Sequence, residues 1–163
     1  MSIYNQAATL DPFFDNSNED LSLPSNLPSV KGSWYLVVYP IAPKKKTQGG
    51  IILSDQTYDS LATLTSVGIV VSKGELAYKH AKFQDPETKE FYHWAELGSI
   101  IMFKRSLSGV EQFEIEGKKL FILPDSAVMC SVNHPSIIDP LYTYSEEELA
   151  EFKQQIQDFN AKV

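Results

Sequence analysis

The chain contains one cysteine, Cys130, so no disulfide can form within it. At 163 residues the chain is long enough to bury a core without a disulfide or a metal ion. A lone thiol fits a reducing compartment, and its position in an apolar run predicts a small buried side chain rather than a nucleophile. The histidines, His80, His93 and His134, are not spaced as a zinc-binding pair. We therefore expect no metal and no cofactor.

Long apolar runs and an early basic residue are also missing. No run of 18 apolar residues occurs, which argues against a membrane-spanning helix. The first lysine is Lys31, so the basic start of a signal peptide is missing. We expect a cytoplasmic protein with no membrane partner. The glycine motifs of phosphate loops and nucleophile elbows are absent too, which favours a binding protein over an enzyme.

Basic residues are scarce relative to acidic ones, with 14 against 21 and a net charge of -7. This acidity offers no attraction to phosphate backbones, so we expect no nucleic-acid partner. The charge is concentrated at the two ends. Residues 1–29 and 139–163 carry -4 each, and residues 30–138 carry +1.

The two ends differ in pattern from the centre. Residues 1–30 are rich in Ser, Asn, Asp and Pro, which predicts an acidic, mostly irregular arm. Within residues 134–163, the first part, residues 134–144, contains two prolines and predicts an extended strap. Ser145 and Glu148 then make a capping-box pattern. An apolar stripe at helical spacing predicts an amphipathic helix over 146–159 that packs on its own domain, with a partner-binding helix as the alternative. The stripe consists of Leu149, Phe152, Ile156 and Phe159.

The centre, residues 31–133, is typical of strands. β-branched and aromatic runs, or polar–apolar alternation, predict six of them, with a turn at Gly117-Lys118. No helical stretch interrupts them, so we predict a mainly β fold, a small antiparallel β-barrel or sandwich. The predicted strands are 34–39, 67–71, 99–103, 111–116, 119–123 and 127–132.

Two segments of the centre do not fit a regular strand. Residues 43–56 join a lysine run, a Gly-Gly pair and three large aliphatic residues. Glycine frees the backbone there, so Ile51-Ile52-Leu53 is either an exposed docking tag or the start of a strand. Residues 74–95 carry a turn signal, Asp85-Pro-Glu-Thr-Lys89, with aromatic residues on both sides, which predicts a projecting hairpin.

The order of these parts resembles the GroES-type co-chaperonins (the chaperonin-10 family), the ring-shaped lids of chaperonins. No single motif is specific to this family. The specific feature is the order of the motifs, with the Gly-Gly pair and the aliphatic triplet in the position of the mobile loop. The motifs are Ser33–Pro40 for the first strand, Lys46–Leu53 for the mobile loop, Ser66–Gly74 before the roof hairpin, Glu96–Phe103, Phe113–Leu123 and the closing Asp125–Cys130.

The resemblance implies a GroES-like barrel with a mobile loop at about 43–56 and a roof excursion at about 74–95. It also implies a homo-oligomeric ring, in this family usually a heptamer, that caps a GroEL-type chaperonin and encloses an unfolded client protein. The chaperonin's own ATP hydrolysis would drive release. Ring closure would pair the first and last strands of neighbours, near 34–39 and 127–132.

Individual residues acquire expected roles from the same resemblance. Leu107 falls near the position that faces the cavity and contacts the client. Lys44, Lys45 and Lys46 are candidates for steering the loop toward an acidic chaperonin surface, although simple solvation explains them as well. The expected chaperonin-binding residues are Gly49, Gly50, Ile51, Ile52 and Leu53.

This chain also departs from the compact family pattern. Ser99 stands where the family has an aspartate, the roof region is longer, and both ends are additions. Such additions resemble the elaborated lids that viruses encode, which would place the protein in a host cytoplasm.

Three other functions fit parts of the pattern. A structural or decoration protein could use the same barrel without a chaperonin. Zinc-dependent dehydrogenases carry a GroES-like barrel, but this chain lacks their clustered ligands and any Rossmann partner. An oligonucleotide-binding barrel would use aromatic residues, here Trp34, Tyr39, Tyr78, Phe91, Tyr92 and Trp94, against the net acidity.

Overall fold

One antiparallel sheet of six strands organises the protein. The computed structural model describes residues 21–42, 67–92, 94–104, 109–138, 140 and 142–162. The prediction of a mainly β protein with six strands is confirmed, and each predicted bound lies within two residues of the observed one. The strands are β1 (Tyr35–Ile41), β2 (Val67–Lys73), β3 (Ile100–Phe103), β4 (Glu111–Ile115), β5 (Lys118–Pro124) and β6 (Val128–Val132).

The sheet is open rather than closed into a barrel. Its strand order is β4-β5-β1-β2-β3-β6. Within the described residues β4 pairs only with β5, and β6 pairs only with β3. A barrel requires its first and last strands to pair with each other. In the part of the chain that the structure describes, the six strands therefore form an open antiparallel sheet, and the predicted GroES-like barrel is not confirmed.

β1 occupies the interior of the sheet. Residues 36–38 pair with β2 on one side and with β5 on the other. Residues 36–41 are all buried, which explains why this strand is almost continuously apolar instead of alternating. The hydrogen-bonding groups of 36–38 are already used on both sides, so these three residues offer no free edge for the expected ring contact near 34–39. The unpaired edges among the described strands are those of β4 and β6.

Each face of the sheet carries its own apolar core. The helix face lies under the C-terminal helix and includes Val37, Tyr39 and Ile69. The excursion face lies under residues 74–95 and includes Leu36, Val38 and Val70. On the excursion face the rings of Phe103 and Phe121 lie 5.1 Å apart, although two strands separate β3 from β5. In a flat sheet β3 and β5 would be about 14 Å apart, so the ring contact indicates that the sheet curves toward this face.

The C-terminal helix α1 (Glu146–Ala161) forms and packs as predicted. Ser145 and Glu148 make the reciprocal capping box, and three glutamates in the first turn lie where the helix dipole favours negative charge. Phe152 packs on Tyr39 of β1 with ring centroids 4.9 Å apart. At the other end, Asn160 Nδ2 donates to the carbonyl of Val71, the extra residue of a β-bulge in β2. The helix therefore covers its own sheet.

Loss of the cap should weaken the protein measurably. The Ser145 hydroxyl accepts a hydrogen bond from the Glu148 N–H at 3.0 Å. We expect Ser145→Ala to lower the free energy of unfolding by about 1 kcal/mol, because an N-cap residue satisfies a helix N–H that alanine cannot. Urea unfolding at fixed protein concentration measures the change. An unchanged midpoint would contradict the assigned cap.

The described part of the N-terminal arm is irregular and lies across the helix face. Leu21, Leu23 and Leu27 pack against that core, and Val30 belongs to it. The Leu23 N–H donates to Gln155 Oε1 at 3.1 Å. Residues 21–30 therefore link α1 to the sheet and contribute to the fold.

Two local predictions are wrong. The β4–β5 turn is at Glu116-Gly117, not Gly117-Lys118, because both residues adopt positive φ (52° and 78°) and Ile115 pairs with Lys118. That is the geometry of a two-residue hairpin loop. Cys130 is exposed, not buried, because β6 forms an edge of the sheet. An apolar run alone does not show which strands lie at the edges.

Candidate functional site

The connection between β1 and β2 is the candidate site. Ile41 and Val67 are paired neighbours at the end of the two strands, so residues 42–66 leave and re-enter the sheet at one place. This connection of 25 residues is much longer than the roughly 4–6 residues that are typical between elements of a compact domain. The predicted docking segment lies inside this connection.

The predicted site residues lie outside the described part of the chain. This applies to the steering candidates and to the cavity-facing candidate as well as to the docking residues. The structure therefore brings none of them together and separates none. They are Lys44, Lys45, Lys46, Gly49, Gly50, Ile51, Ile52, Leu53 and Leu107.

The first residue of the connection, Ala42, is its root, and a tyrosine from the strap is hydrogen-bonded to it. The Tyr144 hydroxyl donates a hydrogen bond of 2.8 Å to the carbonyl oxygen of Ala42, which follows β1 directly. Ala42 is fully buried and Tyr144 is 3% exposed. The β1–β2 register ends at Ile41, and a buried carbonyl without a partner costs about 1–3 kcal/mol. The tyrosine supplies that partner.

His134 holds the same tyrosine from the other side. Its Nδ1 accepts from the Ser136 N–H at 3.1 Å, so the ring proton is assigned to Nε2. Nε2 lies 2.8 Å from the Tyr144 carbonyl oxygen and donates to it. A short 3-10 turn, Pro135–Ile137, separates the histidine from the rest of the strap. The strap is thus fixed by hydrogen bonds where it reaches the root.

Residues 74–92 form a compact excursion over the other face of the sheet. Gln84 and Phe91 pair as an isolated antiparallel bridge, and the Asp85 carboxylate closes the turn between them. Its Oδ1 accepts from the N–H groups of Glu87 and Thr88, at 2.8 and 3.0 Å. The Tyr92 hydroxyl donates to Oδ2 at 2.9 Å. This carboxylate therefore organises the tip of the excursion.

These hydrogen bonds predict a pH dependence of the turn. The N–H groups of Thr88 and Glu87 and the Tyr92 hydroxyl lower the pKa of Asp85 below its ordinary value of 3.8. The hydrogen bond to Asp85 also raises the pKa of Tyr92 above its ordinary 10.0. Because the folded pKa of Asp85 is depressed, its stabilisation is present above pH 3.8 and is lost as the pH falls through the lowered value.

An NMR titration of the Asp85 carboxyl carbon measures this effect. We expect its midpoint below 3.8 in the native protein. Tyr92→Phe should move it part of the way back, since the two N–H donors remain. A native midpoint at or above the ordinary value would contradict the turn geometry.

The base of the excursion is locked to the sheet through Tyr78. Its backbone has a positive φ of 62°, and its N–H donates to the buried Asp125 carboxylate at 2.9 Å. The ring packs edge-on against Phe83 at 4.9 Å. Burial, followed by the charges of Asp125 and Glu96, raises the pKa of Tyr78 far above its ordinary value. No hydrogen-bond partner for its hydroxyl is found within the described ranges. The tyrosine therefore acts as an anchor and not as a proton donor near neutral pH.

Several large apolar side chains remain exposed near this excursion. The sequence pattern marked the aromatic members but not which of them reach the surface. They are Trp34, Leu76, Tyr92, Trp94 and Leu97.

The aromatic set proposed for oligonucleotide binding does not form one surface. Tyr39 and Tyr78 are fully buried, the first on the helix face and the second on the excursion face. Stacking platforms for bases need exposed rings on one side of the protein. This arrangement counts against the oligonucleotide-binding reading.

The ranges that the structure describes contain neither a cluster of metal ligands nor a helix that could span a membrane. No group of three or more His, Cys, Asp or Glu residues lies close enough there to hold a metal ion. None of the helices in those ranges has both the length and the apolarity needed to cross a bilayer.

Comparison with known proteins adds no family. Neither a scan against protein-family models nor a search of curated proteins finds a match to this chain.

The sequence did not reveal the contact between the strap and the root. The tyrosine-rich end of residues 134–144 indicated an apolar strap, but nothing in its spacing pointed to the end of β1. A carbonyl 102 residues away can be assigned as the acceptor of Tyr144 only from the fold.

Proposed function

We propose that the protein is a co-chaperonin. It forms an oligomeric ring, a heptamer as in most of the GroES-type lids it resembles, and caps a GroEL-type chaperonin over an unfolded client. The observation that carries the proposal is the place of the Gly-Gly and aliphatic triplet. Gly49 to Leu53 fall within a long connection whose ends, Ile41 and Val67, are paired on adjacent strands.

The docking energetics favour many weak contacts over one strong contact. Burying one large aliphatic side chain contributes about 1.5–3 kcal/mol. Ordering the backbone costs about 1–2 kcal/mol per residue, so a single loop binds weakly. A ring presents several copies of Ile51, Ile52 and Leu53 at once, and the high effective concentration makes capping firm. Each weak contact still allows release when the chaperonin changes state.

The remaining residues take supporting roles in this proposal. Lys44, Lys45 and Lys46 precede the docking residues and steer the connection toward an acidic chaperonin surface. Leu107 faces the enclosed client. The chain itself performs no catalysis, since the chaperonin's ATP hydrolysis drives release.

The ring contact in this proposal uses the strand edges that remain unpaired. One chain carries a different edge at each end of its sheet, β4 and β6. Pairing β4 of one copy with β6 of the next is a head-to-tail contact, which generates a closed ring when the rotation between copies closes. The bulge at Met129 interrupts β6, so residues 130–132 offer its regular part.

Chaperonin-assisted refolding tests the proposed function. The protein is mixed with a GroEL-type chaperonin, ATP and a denatured client that the chaperonin alone does not refold. We expect recovery of client activity that depends on added protein and on ATP. No recovery, in a preparation that an established lid of the family activates, would overturn the proposal.

Amide hydrogen exchange on the free protein separates this function from a structural or decoration role. A docking segment should exchange freely at residues 44–55 until the chaperonin is added and become protected in the complex. Strong protection of 44–55 in the free protein would favour the structural role.

A further inference from the structure

We infer that the C-terminal strap positions the docking connection by fixing its root, with Tyr144 as the positioning residue; this inference rests on the proposed function. The contact joins the root, Ala42, to a residue of the C-terminal segment through the buried 2.8 Å hydrogen bond. The C-terminal segment is an addition to the compact pattern of lids, so this role assigns a purpose to part of that addition.

Tyr144 is itself held on both sides, which makes it a fixed point. Its carbonyl accepts from His134 Nε2 at 2.8 Å. The next residue, Ser145, is the N-cap of α1, and α1 packs on β1 through Phe152 and Tyr39. The hydroxyl therefore cannot follow Ala42 if the root shifts, and the bond resists such a shift.

A fixed root helps docking for an entropic reason. Fixing a segment on its partner costs conformational entropy, and every residue that is already held in place removes part of that cost. The hydrogen bond fixes the residue from which residues 43–66 depart. Because a ring repeats the contact in every subunit, a modest gain per copy is multiplied over the whole interface.

The alternative explanation is that the bond only stabilises the fold, and a matched variant separates the two. Asn160 Nδ2 also donates a side-chain hydrogen bond to a strand carbonyl, that of Val71, at 3.0 Å. It does so at the opposite end of α1 and at the far end of β2 from Val67. Tyr144→Phe and Asn160→Ala therefore each remove one hydrogen bond between the C-terminal segment and the sheet, but only Tyr144→Phe releases the root.

The test compares capping by the two variants in the whole protein. The concentration that gives half-maximal capping of the chaperonin with ATP is measured for wild type, Tyr144→Phe and Asn160→Ala. Loss of one hydrogen bond corresponds to about a fivefold to tenfold change in an equilibrium constant. We expect at least that increase for Tyr144→Phe and little change for Asn160→Ala. No increase for Tyr144→Phe, or the same increase for both variants, would overturn the positioning role.

Amide exchange supplies a readout that needs no chaperonin. In Tyr144→Phe, the amides of Ile41 and Val67 should exchange about fivefold to tenfold faster than in wild type. The amide of Leu120, deep in β5, serves as a reference for global unfolding and should change less. Equal acceleration at all three amides would overturn the local fixing of the root. If wild type does not cap a chaperonin, the proposed function fails, and this exchange pattern still decides whether the strap fixes the root.

Discussion

We expect that replacing Ile52 with aspartate abolishes the proposed capping of a chaperonin. The change removes about 1.5–3 kcal/mol of apolar burial from each docking segment and places a carboxylate where an apolar pocket is expected. A ring repeats this loss in every subunit, so no attainable protein concentration should restore the complex. Co-sedimentation with the chaperonin in the presence of ATP measures the loss, and the free ring should keep its mass.

A second isoleucine provides the control for this substitution. Ile137 lies in the 3-10 turn of the strap and is 67% exposed. Ile137→Asp makes the same chemical change on an open surface and should cap as wild type does. Capping by Ile52→Asp at wild-type concentrations would show that the docking segment has been assigned wrongly.

Replacing Gly74 with alanine strongly destabilises the fold. A Cβ at this position would lie 1.9 Å from the carbonyl oxygen of Ser33 and 2.7 Å from that of Val30. Both atoms are backbone, so no side-chain rotation relieves the clash. Gly74 also donates its N–H to the Tyr35 carbonyl at 2.9 Å. This bond holds Gly74 against the turn formed by residues 30–33. We expect the free energy of unfolding to fall by about 3 kcal/mol, the upper part of the range for overpacking.

Gly32, in the same turn, is the matched control. A Cβ added there meets nothing within 4 Å, so Gly32→Ala should change stability by no more than about 0.5 kcal/mol. Urea unfolding of both variants at one protein concentration makes the comparison, because assembly would otherwise shift the midpoints. Equal midpoints for the two variants would contradict the close approach at Gly74.

Local patterns predicted the elements of this fold well. The strands formed where β-branched and aromatic residues cluster, and α1 formed where Ser145 and Glu148 supply its cap. These signals are local, because a strand or a helix end depends mainly on residues within one or two turns of the chain.

The arrangement of those elements could not be predicted in the same way. β1 and β6 both looked like apolar strands, yet β1 is buried in the sheet interior and β6 forms an edge with Cys130 exposed. Local patterns likewise did not show whether the sheet closes into a barrel, because closure depends on which distant strands pair. Pairing is a long-range property, and the hydrophobic period of one strand does not contain it.

The candidate site shows the same difference between local and long-range information. The docking triplet is a prediction from sequence: its residues alone leave a docking tag and the start of a strand open, and the resemblance to lids favours the tag. The contact of Tyr144 with Ala42 was not found, since it joins residues that only the folded chain brings together. The docking segment thus remains a prediction from sequence, and its root is a finding of the structure.

The most direct measurement is electron microscopy of the wild-type protein with a GroEL-type chaperonin and ATP. The proposal predicts a ring of density closing one or both ends of the chaperonin cylinder, lost with Ile52→Asp and kept with Ile137→Asp. Bare cylinders at saturating protein, in a preparation that an established lid caps, would contradict it.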